Sequence, residues 1–530
     1  MKEKKKLKLK KFYLHPITTF LLLIGVVLIL SAILSALGMS GSYNKITDGN
    51  QLETVFISVQ SLLNYDGMKY IFSNIAQNFI SFTPLSMLLI SLIGISIASS
   101  TGLIDAIMKR HIGKINKKTV TFLLILLATI SSLINEIGYA VLIPLGALVF
   151  LANKRNPLAG IVAAFCGVAS GYGVTLFVGS MEVGLIPYTT QAARLIDETF
   201  HVSLTSNLFI IIVLSILLSL IGTFIIEKIV VPRLGRYREK EDMSKTQEIM
   251  LSDIGEIEQE KLELDKKEKT GLKYALITGV IVILAFVYMI IPNLPFSGML
   301  LDMNETTYLG QLFGDNSYFQ YGFTFMIALF FTITGLAYGI GAKSIKNDKE
   351  LIQKMTEYLS NIGGIIVLIF VVSQFIAIFK KTNIGTVLLS WGAEFINQLS
   401  FSGIPLILIT LLIVALCNLV VTSPTTKWYI LSPVVIPLMM QSNISPQFGQ
   451  MVFRAGDSMT NCLTPMLAFF AVYIGYLNMY NKSKERPITI RTALRLAAPY
   501  GVIMSIVWIL LILGWYILGL PIGPGVFPSL

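Results

Sequence analysis

The chain has 530 residues, of which 54% are hydrophobic and only 13% charged, with a mean hydropathy of +0.73. A soluble protein keeps about a quarter of its residues charged to face water, so this composition excludes one. The net charge of +11 does not mark a nucleic-acid binder, because the basic residues lie in short stretches between long apolar runs.

Taken in chain order, the basic residues 1–15 precede an apolar run at about 16–38, too long for a signal-peptide core and read as an uncleaved first span. With this basic end inside, a polar external stretch runs through Gln77, and a second span covers about 81–103. Basic residues from Lys109 to Lys118 and at Lys154 and Arg155 bracket an apolar pair at 119–152, a re-entrant hairpin that enters and leaves on one side. Spans near 158–180 and 206–227 complete a first half, 16–227. The charged segment 228–271 mixes both signs and reads as a cytoplasmic linker. A second half, 272–520, holds spans near 272–292, 320–340 and 359–379, an amphipathic arm at 383–400, a second hairpin at 402–441, and spans near 448–478 and 497–520. A short tail, 521–530, follows. The fold class is an all-α polytopic membrane protein of about nine spans plus two opposed hairpins. Lys380 and Lys381 fall on the outside, against the charge rule. Cys166, Cys417 and Cys462 have no metal-ligand spacing and read as packing residues. His15, His111 and His201 lie in or beside loops, and none reads as a metal ligand.

One fixed offset aligns the halves. It sets Tyr139, Leu142 and Pro144 on Trp428, Leu431 and Pro433, then Gly167 on Gly456 and Thr175 on Thr464. Hairpins opening to opposite sides would make this an inverted repeat, as in many secondary transporters.

Polar residues interrupt the apolar pattern in both halves. Asn135 and Glu136 lie in the first hairpin, Gly171 and Gly173 break the next span, and Glu182 follows. The second half offers Asn418, Ser423, Pro424, Thr425, Lys427 and Trp428, then Pro446, Arg454, Gly456, Asp457, Asn461 and Pro465. Non-helical backbone at membrane depth persists where it lines an enclosed or wet cavity, and intramembrane charge marks a substrate or ion path. Arg454 and Asp457 share a helix face and could instead pair with each other. Lys427 could snorkel to the interface. Asn135 and Asn418 are candidate neighbours of a sodium ion.

Thr425-Thr-Lys-Trp428, Leu431-Ser-Pro433 and the run from Phe453 through Asn461 to Thr464-Pro465 closely resemble the AbgT family of p-aminobenzoyl-glutamate transporters. Val141 to Phe150 and Gly171-Tyr-Gly173 resemble that family's first hairpin and broken span. The resemblance covers essentially the whole chain. It implies a homodimer with a wet basin, in a bacterial cytoplasmic membrane, carrying a small anionic aromatic substrate on an ion gradient without a cofactor. By motif, Trp428, Arg454, Asp457, Pro446 and Pro465 match residues critical to the family's transport. Thr425 stands where the family has Ser, and Glu182 and Glu136 where it has Asp.

These readings combine into a site between the hairpin tips. Arg454, Trp428, Thr425, Asn461 and Ser423 would bind substrate; Asp457, Glu182 or Glu136 would handle the coupling proton or sodium. Pro424, Pro446, Pro465, Gly171, Gly173 and Gly456 would shape backbone. The expected function is proton-driven transport of p-aminobenzoyl-glutamate, with efflux of sulfonamide antimetabolites as the alternative. An ATP-driven pump would need a GxxxxGK(S/T) phosphate-binding loop, which the sequence lacks. A channel is disfavoured by the inverted broken hairpins. An intramembrane enzyme is disfavoured because Arg454-Ala-Gly-Asp457 lacks the first glycine of a GxGD pattern and no HExxH motif occurs.

Overall fold

Each long apolar run folds as a helix, because backbone in hydrocarbon must satisfy its own N–H and C=O groups. The computed structural model describes residues 14–47, 50–111, 116–134, 136–235, 237, 264–314, 316–483 and 486–530. Among them, eight helical segments are long and apolar enough to cross a bilayer: Pro16–Ala36, Tyr65–Ser100, Lys117–Ile134, Leu208–Leu234, Lys266–Ile290, Tyr318–Ala342, Gly363–Lys381 and Ile490–Leu518. Shorter apolar helices include Ile137–Ala152, Pro157–Ser170, Ile404–Asn418 and Phe470–Met479. The protein is thus the expected helical polytopic chain, with one β-hairpin added.

The short helices explain why the span count differs from about nine. The run expected as one span near 158–180 is helix Pro157–Ser170, irregular backbone over 171–179, then helix Ser180–Ala193. The run near 448–478 breaks likewise into Pro446–Thr460 and Phe470–Met479. Lys117–Ile134 passes a length test for spanning, yet its α-helical part is the 14 residues Lys117–Ile130. That part rises about 21 Å, short of the roughly 30 Å of hydrocarbon, so we read it as the outer arm of the first hairpin, with Ile137–Ala152 returning. The second hairpin is Ile404–Asn418 and Pro424–Gln441.

Three stretches differ from the sequence reading. The stretch expected to be a polar loop contains an antiparallel β-hairpin, β1 Ser40–Ile46 with β2 Leu52–Ser58, and helix Tyr65–Ile80 capped by Asn64. Helix Asp348–Ser360 starts where the Asn347 side chain accepts the Glu350 N–H at 2.8 Å. Helix Lys266–Ile290 begins inside the stretch read as linker, because Asp265 and Glu268 form a reciprocal capping box. Of that linker, residue 236 and residues 238–263 lie outside the described residues. Lys380 and Lys381 close helix Gly363–Lys381, where cations complement the helix dipole, and Lys381 Nζ lies 5.4 Å from the Tyr70 ring centroid.

Burial separates periphery from centre. Pro16–Ala36 and Lys266–Ile290 bury only 17% of their apolar windows, as lipid-facing helices do. Tyr318–Ala342 packs against both Thr83–Ser100 and Lys266–Ile290 through small residues, Ala98, Ala275 and Ala342 among them. At the centre, every residue from Pro446 to Met459 is buried, as are all those of Pro157–Ser170 except Leu158.

The same sequence offset also aligns element boundaries. The offset that sets Tyr139 on Trp428 also sets Pro157 on Pro446, both first residues of their helices. It sets Asn156 on Ser445, both caps, and Ala152 on Gln441, both final residues of a hairpin arm. Thr175 Oγ1 accepts the Phe177 N–H and Thr464 Oγ1 accepts the Met466 N–H, each at 3.1 Å. The tail is ordered against this centre. The Ser445 N–H donates to Pro528 O at 2.8 Å, its hydroxyl to Phe527 O at 2.7 Å, and the Phe209 N–H to Ile522 O at 2.9 Å.

A buried network fastens the open end of the first hairpin. Helix Leu208–Ile225 continues into a π-helical turn, Ile226–Val230, that carries Glu227. Glu227 Oε1 receives Arg155 Nη2 and Thr121 Oγ1, each at 2.5 Å, while Arg155 Nη1 donates to Thr121 Oγ1 at 2.8 Å. Arg155→Met would strand a mostly buried carboxylate at a cost of about 3 kcal/mol, seen as a lower Tm of detergent-solubilised protein. Arg155→Met with Glu227→Gln should regain most of that loss. An unchanged Tm for the single variant would show that this pair does not hold the hairpin.

Candidate functional site at the crossing of the broken spans

Gln447, Gln450, Arg454, Asp457 and Asn461 recur at steps of three and four, so they line one face from helix Pro446–Thr460 into the turn beyond it. Such a face ordinarily meets water, yet this helix lies at the centre of the protein. The charged members must therefore find partners on other elements.

Arg454 and Asp457 do not pair with each other; each finds a partner across the protein. Arg454 Nη1 donates to Glu182 Oε1 in helix Ser180–Ala193, and both side chains are at most 1% exposed. Glu182 Oε2 also accepts the Gly179 N–H at 2.9 Å, so one carboxylate caps its helix and holds the guanidinium. Asp457 Oδ1 accepts from the Lys427 ammonium, again with neither group more than 1% exposed. That burial rules out snorkelling for Lys427. Nε and Nη2 of Arg454 and Oδ2 of Asp457 are buried with no hydrogen-bond partner among the described residues.

Asn418, at the end of the outer hairpin arm, organises this cluster. Its Nδ2 donates to Asp457 O at 2.8 Å, Asn461 Oδ1 at 2.9 Å and Thr460 Oγ1 at 3.1 Å, while its Oδ1 accepts from Lys427. Asn461 reaches on to Ala169 O at 3.3 Å, which ties the two broken spans together. Trp428 is fully buried; its indole N–H donates to Thr189 Oγ1 at 2.9 Å, and its ring lies 4.5 Å from that of Phe453. Two glycines permit the crossing. A Cβ at Gly173 would come within 2.7 Å of Ser458 Oγ and 2.9 Å of Arg454 O, and one at Gly456 within 2.8 Å of Leu411 O.

The remaining expected residues fall around this cluster. Ser423 caps helix Pro424–Gln441 and, like Thr425, is exposed at the hairpin tip. Pro424 and Pro446 begin their helices, where a missing N–H costs nothing. Gly171 and Pro465 stand in the two irregular breaks. Glu136 is half-buried and immediately precedes Ile137–Ala152 at the first hairpin tip without a side-chain capping bond, one turn from the fully buried Tyr139. Asn135 lies outside the described residues. Among those described, no cluster of His, Cys, Asp or Glu could hold a metal ion. Lys427, whose sequence context also fits snorkelling, and Thr189 are the contributors least evident in the sequence. An intramembrane lysine nine residues from Asn418 is the available signal for the first. Nothing local in the sequence marked the second.

Chemically, the unpartnered Nε and Nη2 form one complete edge of the Arg454 guanidinium. Two parallel N–H donors at that spacing match the two oxygens of a carboxylate.

Comparison with known proteins places the whole chain. Residues 10–530 match the AbgT putative transporter family. The p-aminobenzoyl-glutamate transport protein of Escherichia coli (strain K12) is 31% identical over 517 residues, covering 97% of this chain and 94% of that protein. The YdaH transporter of Alcanivorax borkumensis, whose crystal structure is described as revealing an unusual topology, is 29% identical. That match covers 96% of this chain and 100% of the other, with a TM-score of 0.48. MtrF of Neisseria gonorrhoeae, described as illuminating a class of antimetabolite efflux pumps, is 33% identical. It covers 97% of this chain and 98% of its own, with a TM-score of 0.49. With its family match running nearly end to end, this multi-pass membrane protein belongs to the AbgT transporter family.

Proposed function

We propose that the chain carries a small aromatic carboxylate of the p-aminobenzoyl-glutamate type, with the free edge of Arg454 as its carboxylate ligand. The observation that carries this reading is a fully buried guanidinium with one nitrogen on Glu182 and an entire bidentate edge unpartnered. Burial without hydrogen bonds costs free energy, and a bound carboxylate would return it. The name of the Escherichia coli relative supports the substrate class.

Coupling follows from the same pair. A proton taken up by Glu182 would cancel its charge and release Nη1, giving Arg454 a second donor edge for the other carboxylate of a glutamyl group. Loss of that proton would draw Arg454 back and expel the anion. The coupling ion in this scheme is a proton. The basic N-terminus and basic loops between spans favour a cytoplasmic-side N-terminus in a bacterial inner membrane, and the family resemblance favours a homodimer.

Purified protein in proteoliposomes should accumulate labelled p-aminobenzoyl-glutamate under an imposed proton gradient. Absence of uptake under proton and sodium gradients alike, with sulfonamide efflux instead, would reverse the assignment. Arg454→Ala should lower flux at sub-saturating substrate by roughly 30-fold or more, for the loss of about 2 kcal/mol of charged hydrogen bonding. Arg454→Lys keeps the charge without the fork and should stay well below native flux. Native transport by membrane-inserted Arg454→Ala would remove Arg454 from the site. Glu182→Gln should bind substrate yet lose its response to the proton gradient, and continued proton-driven accumulation in that variant would exclude Glu182 as the coupling group.

A further inference from the structure

Lys427 has no part in the carboxylate scheme, yet its ammonium is fully buried. It stands in the first turn of helix Pro424–Gln441, where the partial positive charge of a helix N-terminus disfavours a cation. Asp457 is misplaced in the opposite sense, in the last turn of Pro446–Thr460, beside the partial negative charge of a C-terminus. Asn418 is the last residue of Ile404–Asn418, so a second helix C-terminus converges on the same point.

Two helix C-termini, a carboxylate oxygen and an amide oxygen form the environment that draws a monovalent cation to broken helices. The amide is held in that sense. All three contacts of Asn418 Nδ2 are to oxygens of Asp457, Thr460 and Asn461, which leaves Oδ1 turned toward the ammonium. We propose that the Lys427 ammonium is the built-in cation of the second hairpin tip. It fills the place a free sodium ion would take between Asn418 and Asp457, and positions the tip against the broken span without an external ion. The repeat offset puts Gly138 at the corresponding place in the first half, where a Cβ would lie 1.9 Å from Ser131 Oγ, so the first tip has no room for such a side chain. This inference rests on hairpin geometry and holds whichever anion the protein carries.

Thermal unfolding of the full-length protein in detergent tests it without substrate, using sodium chloride against equimolar choline chloride. The native protein should melt at the same temperature in both. Lys427→Ser should melt lower in choline and recover saturably in sodium, by about 3 °C or more once sodium is roughly 100-fold above its Kd. Lys427→Ser with Asp457→Asn keeps the space but removes the carboxylate, and should not respond to sodium. A saturable sodium response in native protein that Lys427→Ser abolishes would overturn the proposal, as would a folded Lys427→Ser indifferent to sodium. Should Lys427→Ser fail to fold even in sodium while the double variant folds, no free cation replaces the ammonium, and the proposal fails. Collapse of both variants would assign Lys427 to packing and overturn it equally.

Discussion

The structure depends on four charges held inside one helix crossing, Arg454 with Glu182 and Asp457 with Lys427. A lone charge at membrane depth costs about 3 kcal/mol on insertion scales and more where relaxation is blocked. Neither member of the Pro446–Thr460 helix can therefore be buried until its partner arrives from another element. Glu182 arrives on helix Ser180–Ala193, whose start follows the first break. Lys427 arrives at the tip of the second hairpin. The breaks, the hairpins and the glycine-lined approaches at Gly173 and Gly456 are what bring these groups within reach.

At one fixed offset the two halves share element boundaries but not their chemistry. At the shared offset, Arg454 and Asp457 fall on Phe165 and Val168. Phe165 stacks on Tyr473 with centroids 4.0 Å apart, and both are fully buried in the apolar core. One broken helix thus serves as packing for the other. The first half supplies its charge later in the chain, through Glu182, whose own counterpart at the offset is Ala471. The same fold element is used once as scaffold and once as site, and the polar cluster is correspondingly lopsided.

Much of this is legible in the sequence. Apolar runs locate helices because the bilayer leaves the backbone few alternatives, and Gly, Pro and polar clusters marked both breaks. The sequence marks the charged residues but not their pairing. Helical periodicity brings Arg454 and Asp457 onto one face and suggests that they bond, while the true partners lie 272 and 30 positions away. Sequence spacing carries no information about such tertiary choices. The β-hairpin is hidden in the sequence for a different reason. Ser40–Ile46 has little apolar alternation, and the strand is held instead by Trp391 Nε1 donating to Ser40 O at 3.0 Å and by the close approach of Ser390 to Gly41.

The ordered tail has a mechanical meaning. Phe527 and Pro528 accept both polar hydrogens of Ser445, the cap of the helix that bears Arg454, and Ile522 accepts from the start of helix Leu208–Ile225. A load on the last residues is therefore delivered to the root of the charged helix without passing through a flexible linker. A fluorescent protein fused at that end would report on the transporter while also pulling on it.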